Sequence, residues 1–226
     1  MTTANEIPDG AGTAGEARIA GIVLVATTLL SILMMAHHPS ASTHEPASLA
    51  ADIAGTATLS RIVHGTLIAI IGAELYAFAV FSGRLSQGRG AARAALVAYA
   101  IGAGAMIGAA LISGFVVSNL GIYYSTAADP APFVDFARVC MTGNQALAKL
   151  GVVAMSAAIV LWSIALLHDR SRDRWLPIVG FVTGLAPAIA LFAGAIRLDV
   201  HGMLLVVVAQ AIWNLAAGIA LIRGRV

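Results

Sequence analysis

Charge is scarce in this chain. Only 11% of its 226 residues are Asp, Glu, Lys or Arg, against roughly 25% in an ordinary soluble domain. With 59% hydrophobic residues and a mean hydropathy of +0.89, that deficit excludes a water-soluble globule. Cysteine is scarcer still. The single thiol, Cys140, excludes an intramolecular disulfide and an iron–sulfur cluster held by four thiolates of one chain. No nucleophile with an adjacent base, phosphate loop or nicotinamide fingerprint is present, so soluble-type hydrolase, kinase and dehydrogenase chemistries have no support. The formal net charge of +2 comes from scattered arginines and forms no dense basic patch, which argues against nucleic acid as a partner.

What is there is apolar sequence in long runs. Six segments, Ala17 to Ala36, Ile62 to Phe81, Ala94 to Val117, Ala146 to Leu167, Leu176 to Ile196 and Gly202 to Ile222, each match the length of an α-helix crossing ~30 Å of hydrocarbon. Barrel strands would be about ten residues long and would alternate in polarity, whereas these runs are apolar on both faces. The fold class expected is all-α, a polytopic six-transmembrane-helix bundle in the lipid bilayer.

Arginines give the orientation. Arg84, Arg89 and Arg93 occupy the second link, Arg170, Arg172 and Arg174 the fourth, Arg223 and Arg225 the C-terminus, and Arg18 precedes the first span. By the positive-inside rule these segments are cytoplasmic, so both termini are expected inside a bacterial-type plasma or inner membrane. The first apolar run is about 20 residues, longer than the 7 to 15 of a signal-peptide core, and acids precede it, so it reads as a retained span. Residues 1–16 are rich in Gly, Ala, Thr and acids and are expected to be disordered on the cytoplasmic side. Residues 17–226 form the single transmembrane domain, with long outer loops at 37–60 and 118–143. In the second loop Phe133, Phe136 and Val139 have helical spacing and predict a short helix lying in the interface.

Histidines gather opposite the arginines. His37, His38, His44, His64 and His201 fall on the expected outer side, and only His168 falls on the inner one. Spans two and six both open with Val-His-Gly-x-Leu, at His64 and His201, which predicts two imidazoles at equal depth and a glycine beside each where a macrocycle or a helix could approach. His37, His38, His64 and His201 are therefore the candidate ligands of an outer-face transition-metal or haem site. Histidine nitrogen suits zinc, copper or haem iron, and the nearby Met34, Met35, Met141 and Met203 shift the balance to copper. His44, Glu45, Asp199 and Met203 are further ligands or supporting acceptors. The candidate cofactors are copper or haem b, with zinc as a third.

Glu74 is the one carboxylate buried in a span, ~15 Å deeper than His64 at ~1.5 Å per residue. An intramembrane acid is costly and points to function or to a polar partner. Lys149, Gln210 and Asn214 are the candidate partners in an intramembrane relay. Gly104-x-x-x-Gly108 and Gly180-x-x-x-Gly184 are small-residue stripes for close helix approach. The expected function is membrane redox or metal binding, meeting a quinone or a periplasmic redox partner. The alternatives are a small proton- or cation-coupled transporter or channel using Glu74, and a non-catalytic subunit of a membrane complex or homo-oligomer.

Overall fold

In a computed structural model, which describes residues 9–39, 45–169 and 174–226, the chain is helical throughout its described elements. Helix α1 spans Asp9–Ala36, α2 Pro46–Arg84 and α3 Arg89–Leu111; a π-helical turn, Ile112–Val117, joins α3 to α4, Ser118–Ser125. Helices α5, Pro132–His168, α6, Trp175–Phe192, and α7, Val200–Ile222, complete the chain. Six helices are long and apolar enough to cross a membrane, the third being the continuous run α3–π–α4.

The six long apolar helices are those expected, but several boundaries move outward. α2 is 39 residues long and α5 is 37, about 55 to 60 Å at ~1.5 Å per residue, well beyond the hydrocarbon thickness. Most of the expected loops 37–60 and 118–143 is therefore helix. Polar side chains gave these segments the look of loops, but 47–58 is Ala-rich, and alanine has the strongest helix propensity. Glu45 starts α2: its Oε2 accepts from the Ser48 backbone N–H at 2.9 Å, with Pro46 in the first turn, where its missing N–H costs nothing. The expected interfacial helix is instead the first part of α5, with Phe133 buried against Leu49, Ile53, Leu120 and Tyr124 and with Phe136 and Val139 exposed. α1 likewise starts at Asp9, inside the stretch expected to lack structure.

The helices close into a ring. α1 packs on α2 and α7, α2 on α3, α3 on α5, α5 on α6, and α6 on α7. Glycine sets the tightest contacts: a Cβ at Gly21 would lie 2.6 Å from the Gly218 carbonyl oxygen, joining α1 to α7, and one at Gly102 would lie 2.8 Å from Met155 Cγ, joining α3 to α5. Of the two expected stripes, Gly180 and Gly184 do seat α6 on α5, whereas Gly104 faces open space. Since the six spans alternate in direction, α1 begins and α7 finishes at one end, the arginine end, where Arg84 Nε donates to the Val226 carbonyl at 3.3 Å.

The interior of the ring is filled unevenly. Toward the arginine end it is a solid aromatic core: Phe78 stacks on Trp162 with ring centroids 4.3 Å apart, and Phe81 meets both Trp162 and Trp213 edge-on. The Trp162 indole N–H donates to Ser82 Oγ at 2.8 Å, satisfying the polar atom of an otherwise apolar payload. Toward the histidine end the ring holds a cavity of about 730 Å³.

Candidate functional site

The cavity runs between α1, α2, α3, the π turn, α5 and α7, and α6 contributes nothing to its wall. Five of the seven methionines line it: Met35, Met106, Met141, Met155 and Met203. Its histidine end is marked by His38 and His64, whose Nε2 atoms are 3.1 Å apart. Their rings meet edge to face, with centroids 4.8 Å apart.

Each ring is fixed by its other nitrogen. His64 Nδ1 lies 2.8 Å from the Ser60 carbonyl oxygen, one turn back on α2, and His38 Nδ1 lies 2.9 Å from the Pro39 carbonyl oxygen. A carbonyl oxygen can only accept, so Nδ1 carries the proton in both rings and both Nε2 atoms of the neutral rings are bare. With both rings neutral, two lone pairs face each other across 3.1 Å, and a proton on either Nε2 turns the contact into an N–H···N hydrogen bond. Burial pushes the His38 ring below the ordinary imidazole range, against an opposing upward pull from its Pro39 hydrogen bond, which favours the neutral, lone-pair form of that ring.

The π turn makes room for His64. A Cβ at Gly114 would lie 2.7 Å from His64 Cγ and 3.1 Å from its Nδ1, so only a bare Cα lets the imidazole lie against the turn. Asn144 of α5 braces the same turn, donating through Nδ2 to the Ala109 carbonyl and to Ser113 Oγ, each at 2.8 Å. A π turn frees backbone groups from the α-helical ladder and is frequent at functional sites. Gly114 and Asn144 escape sequence reasoning because a Gly in an apolar run reads as packing.

The other expected ligands fall elsewhere. The structure pairs His64 with His38 and not with His201, whose side chain is exposed and outside the cavity wall. His37 is exposed too, with Nδ1 on the Leu33 carbonyl at 2.9 Å. His44 lies outside the described residues. Asp199 is the N-cap of α7, its Oδ1 accepting from the Gly202 N–H at 2.8 Å, and Glu45 caps α2. The glycine after His201 serves this capping turn, because a Cβ at Gly202 would collide with the Arg197 carbonyl. The two Val-His-Gly motifs therefore do different work. Met203 does line the cavity. Among the described residues, no three His, Cys, Asp or Glu side chains are grouped as a metal site.

At the cavity floor the polar relay is partly the expected one. Glu74 is buried, with Tyr99 Oη donating to its Oε2 at 2.8 Å and Asn214 Nδ2 approaching its Oε1 at 3.4 Å. Lys149 is exposed on α5 and faces away, because the helix rotation that turns Asn144 and Ala148 inward turns it outward. Gln210 lines the cavity, and its Nε2 has no hydrogen-bond partner. Tyr99 was missed by sequence reasoning; a lone tyrosine inside the third span was the available signal. Asn214 both lines the cavity and touches Glu74, so it links the two.

Compared with protein-family models, curated proteins and solved structures, the chain matches none. The functional reading therefore rests on the geometry alone.

Proposed function

We propose that this multi-pass membrane protein holds a transition-metal ion between His38 and His64, copper before zinc, in a metal-binding or redox role. The facing lone pairs carry the reading. Two bare imidazole nitrogens at 3.1 Å repel unless a cation lies between them, and an Nδ1–H on a backbone carbonyl is the usual support of a metal-bound histidine. At metal–nitrogen distances of about 2.0–2.1 Å, two corners of a tetrahedron are about 3.3 Å apart, close to the separation here. A haem b gripped axially by both rings would need about 4 Å between the nitrogens, twice that bond length, and so is the poorer fit. Met35 and Met203 line the same cavity, and their thioethers favour copper.

Elemental analysis and an absorption spectrum of the detergent-purified protein test this. One ion per chain is expected, lost in His38→Ala and His64→Ala and kept in His37→Ala and His201→Ala. Metal-free protein of normal stability, or equal metal in all four variants, would overturn it and leave a shared proton as the cation between the rings.

A second reading, proton- or cation-coupled transport, draws on a different observation. The cavity is backed by the aromatic core toward the arginine end, with Glu74 between the two, as in a half-open path. It requires coupled flux that Glu74→Gln abolishes. In either reading, the positive-inside rule puts the arginine end, with both termini, in the cytoplasm and the His38–His64 pair at the outer face of a bacterial-type inner membrane.

A further inference from the structure

The cavity beyond the histidines is far larger than a metal ion needs. Between His64 and Asn214 its wall is Leu67, Ile71, Met106, Val152 and Val206, with Gln210 and Asn214 as the polar groups at the far end. Among the described residues, charged wall side chains are confined to the α6–α7 link, at Arg197 and Asp199, and the Asp199 carboxylate is engaged by the α7 N-terminus. A volume of about 730 Å³ is within the ~300–1,000 Å³ of small-molecule sites, and apolar walls with few convergent polar groups are their usual lining. Apolar space of this kind is poorly filled by water, which needs two to four polar partners per molecule.

The polar groups narrow the chemistry. Gln210 lines the cavity with a carboxamide whose N–H has no partner and is covered by neighbouring atoms, so a turn of the amide presents that donor to a cavity in which, among the described residues, no charge faces the deep half. An ionised ligand would meet no counter-charge there, and one without an acceptor would leave Gln210 unpaired. We infer that the cavity binds an uncharged, lipid-soluble ring compound carrying carbonyl oxygens, the chemistry of a quinone, with one carbonyl accepting from the Gln210 carboxamide and the apolar body against Met106, Met155 and Val206. The site is independent of the metal reading, since its contacts lie on α3, α5 and α7, away from His38.

The test titrates the detergent-purified full chain with a short-chain ubiquinone analogue carrying one isoprenoid unit, read by quenching of tryptophan fluorescence. Trp213, buried next to Asn214 on α7, is the reporter. Saturable quenching at one ligand per chain is expected, weakened about tenfold in Gln210→Leu and lost in Val207→Phe, which fills the cavity from its wall. If Gln210→Leu fails to fold by size exclusion, Val207→Phe alone decides. Quenching that rises linearly with probe, or affinity unchanged in the folded variants, overturns the inference. An isoprenoid alcohol binding as tightly as the quinone overturns the assignment of the carbonyl head. Metal content, measured on the same preparations, should be unchanged by either substitution, so failure of the metal reading and failure of this one are told apart.

Discussion

His64 lies against the bare Cα of Gly114, so that the π turn of one helix forms the seat of an imidazole from another. The seat fixes the ring, and the ring meets His38 at 3.1 Å. Gly114→Ala puts a methyl group 2.7 Å from His64 Cγ. Overpacking of this kind costs about 1–3 kcal/mol, and the ring must rotate or α2 must shift. Metal retained after dialysis should fall at least tenfold in Gly114→Ala, while Gly104→Ala, which meets open space, should match the parent in both metal content and thermal midpoint.

Asp199 separates capping from ligation. If its carboxylate serves α7 alone, Asp199→Ala should lower stability by about 0.5–2 kcal/mol, the usual cost of losing an N-cap, with metal content unchanged. Asp199→Asn and Asp199→Ser, which can still cap, should recover most of that stability. Loss of metal in all three variants would return Asp199 to the ligand set.

Tyr99 and Glu74 form a buried pair, and removing one member leaves the other wanting. Tyr99→Phe deletes the 2.8 Å bond and should destabilise the bundle by about 1–3 kcal/mol, the cost of an unsatisfied buried polar group. Glu74→Leu should cost at least as much as Tyr99→Phe, because it leaves both the Tyr99 hydroxyl and the Asn214 carboxamide without their acceptor. Denaturation of both variants and of Tyr99→Phe/Glu74→Leu should give a double change smaller than the sum, because the two residues share one interaction. Additive changes would show that the hydrogen bond contributes nothing.

Cys140 reports orientation without any engineered label site. It lies near the start of α5, at the histidine end, and is partly exposed. A membrane-impermeant maleimide added to intact spheroplasts should modify it, and Cys140→Ser should abolish the signal. Labelling only after lysis would place the histidine end in the cytoplasm and reverse the orientation drawn from the arginines.

Much of the architecture was legible because hydropathy is a local sum: a run of about twenty apolar residues is a span whatever it packs against. Helix ends were less legible. At the start of α2, and where α4 follows the π turn, polar residues continue as helix past the hydrocarbon, and a polarity count cannot separate a solvated helix from a loop. The capping roles of Glu45 and Asp199 are local too, yet a carboxylate near histidines is equally suited to a metal, and only the backbone N–H of Ser48 or Gly202 beside it tells the two apart.

By itself the sequence determined that the chain has six helices long and apolar enough to cross a membrane, that five of its six histidines are expected at the end opposite most arginines, and that Glu74 needs a polar partner. Which histidines meet was decided by tertiary structure. The repeated Val-His-Gly paired His64 with His201 in one dimension, but ring closure turns His201 outward, while the chain leaving α1 brings His38 onto His64. Helix rotation likewise gave Glu74 to Tyr99 and Asn214 and turned Lys149 away. Both outcomes depend on the relative rotation of helices far apart in sequence, which packing and glycine contacts set and no local pattern encodes.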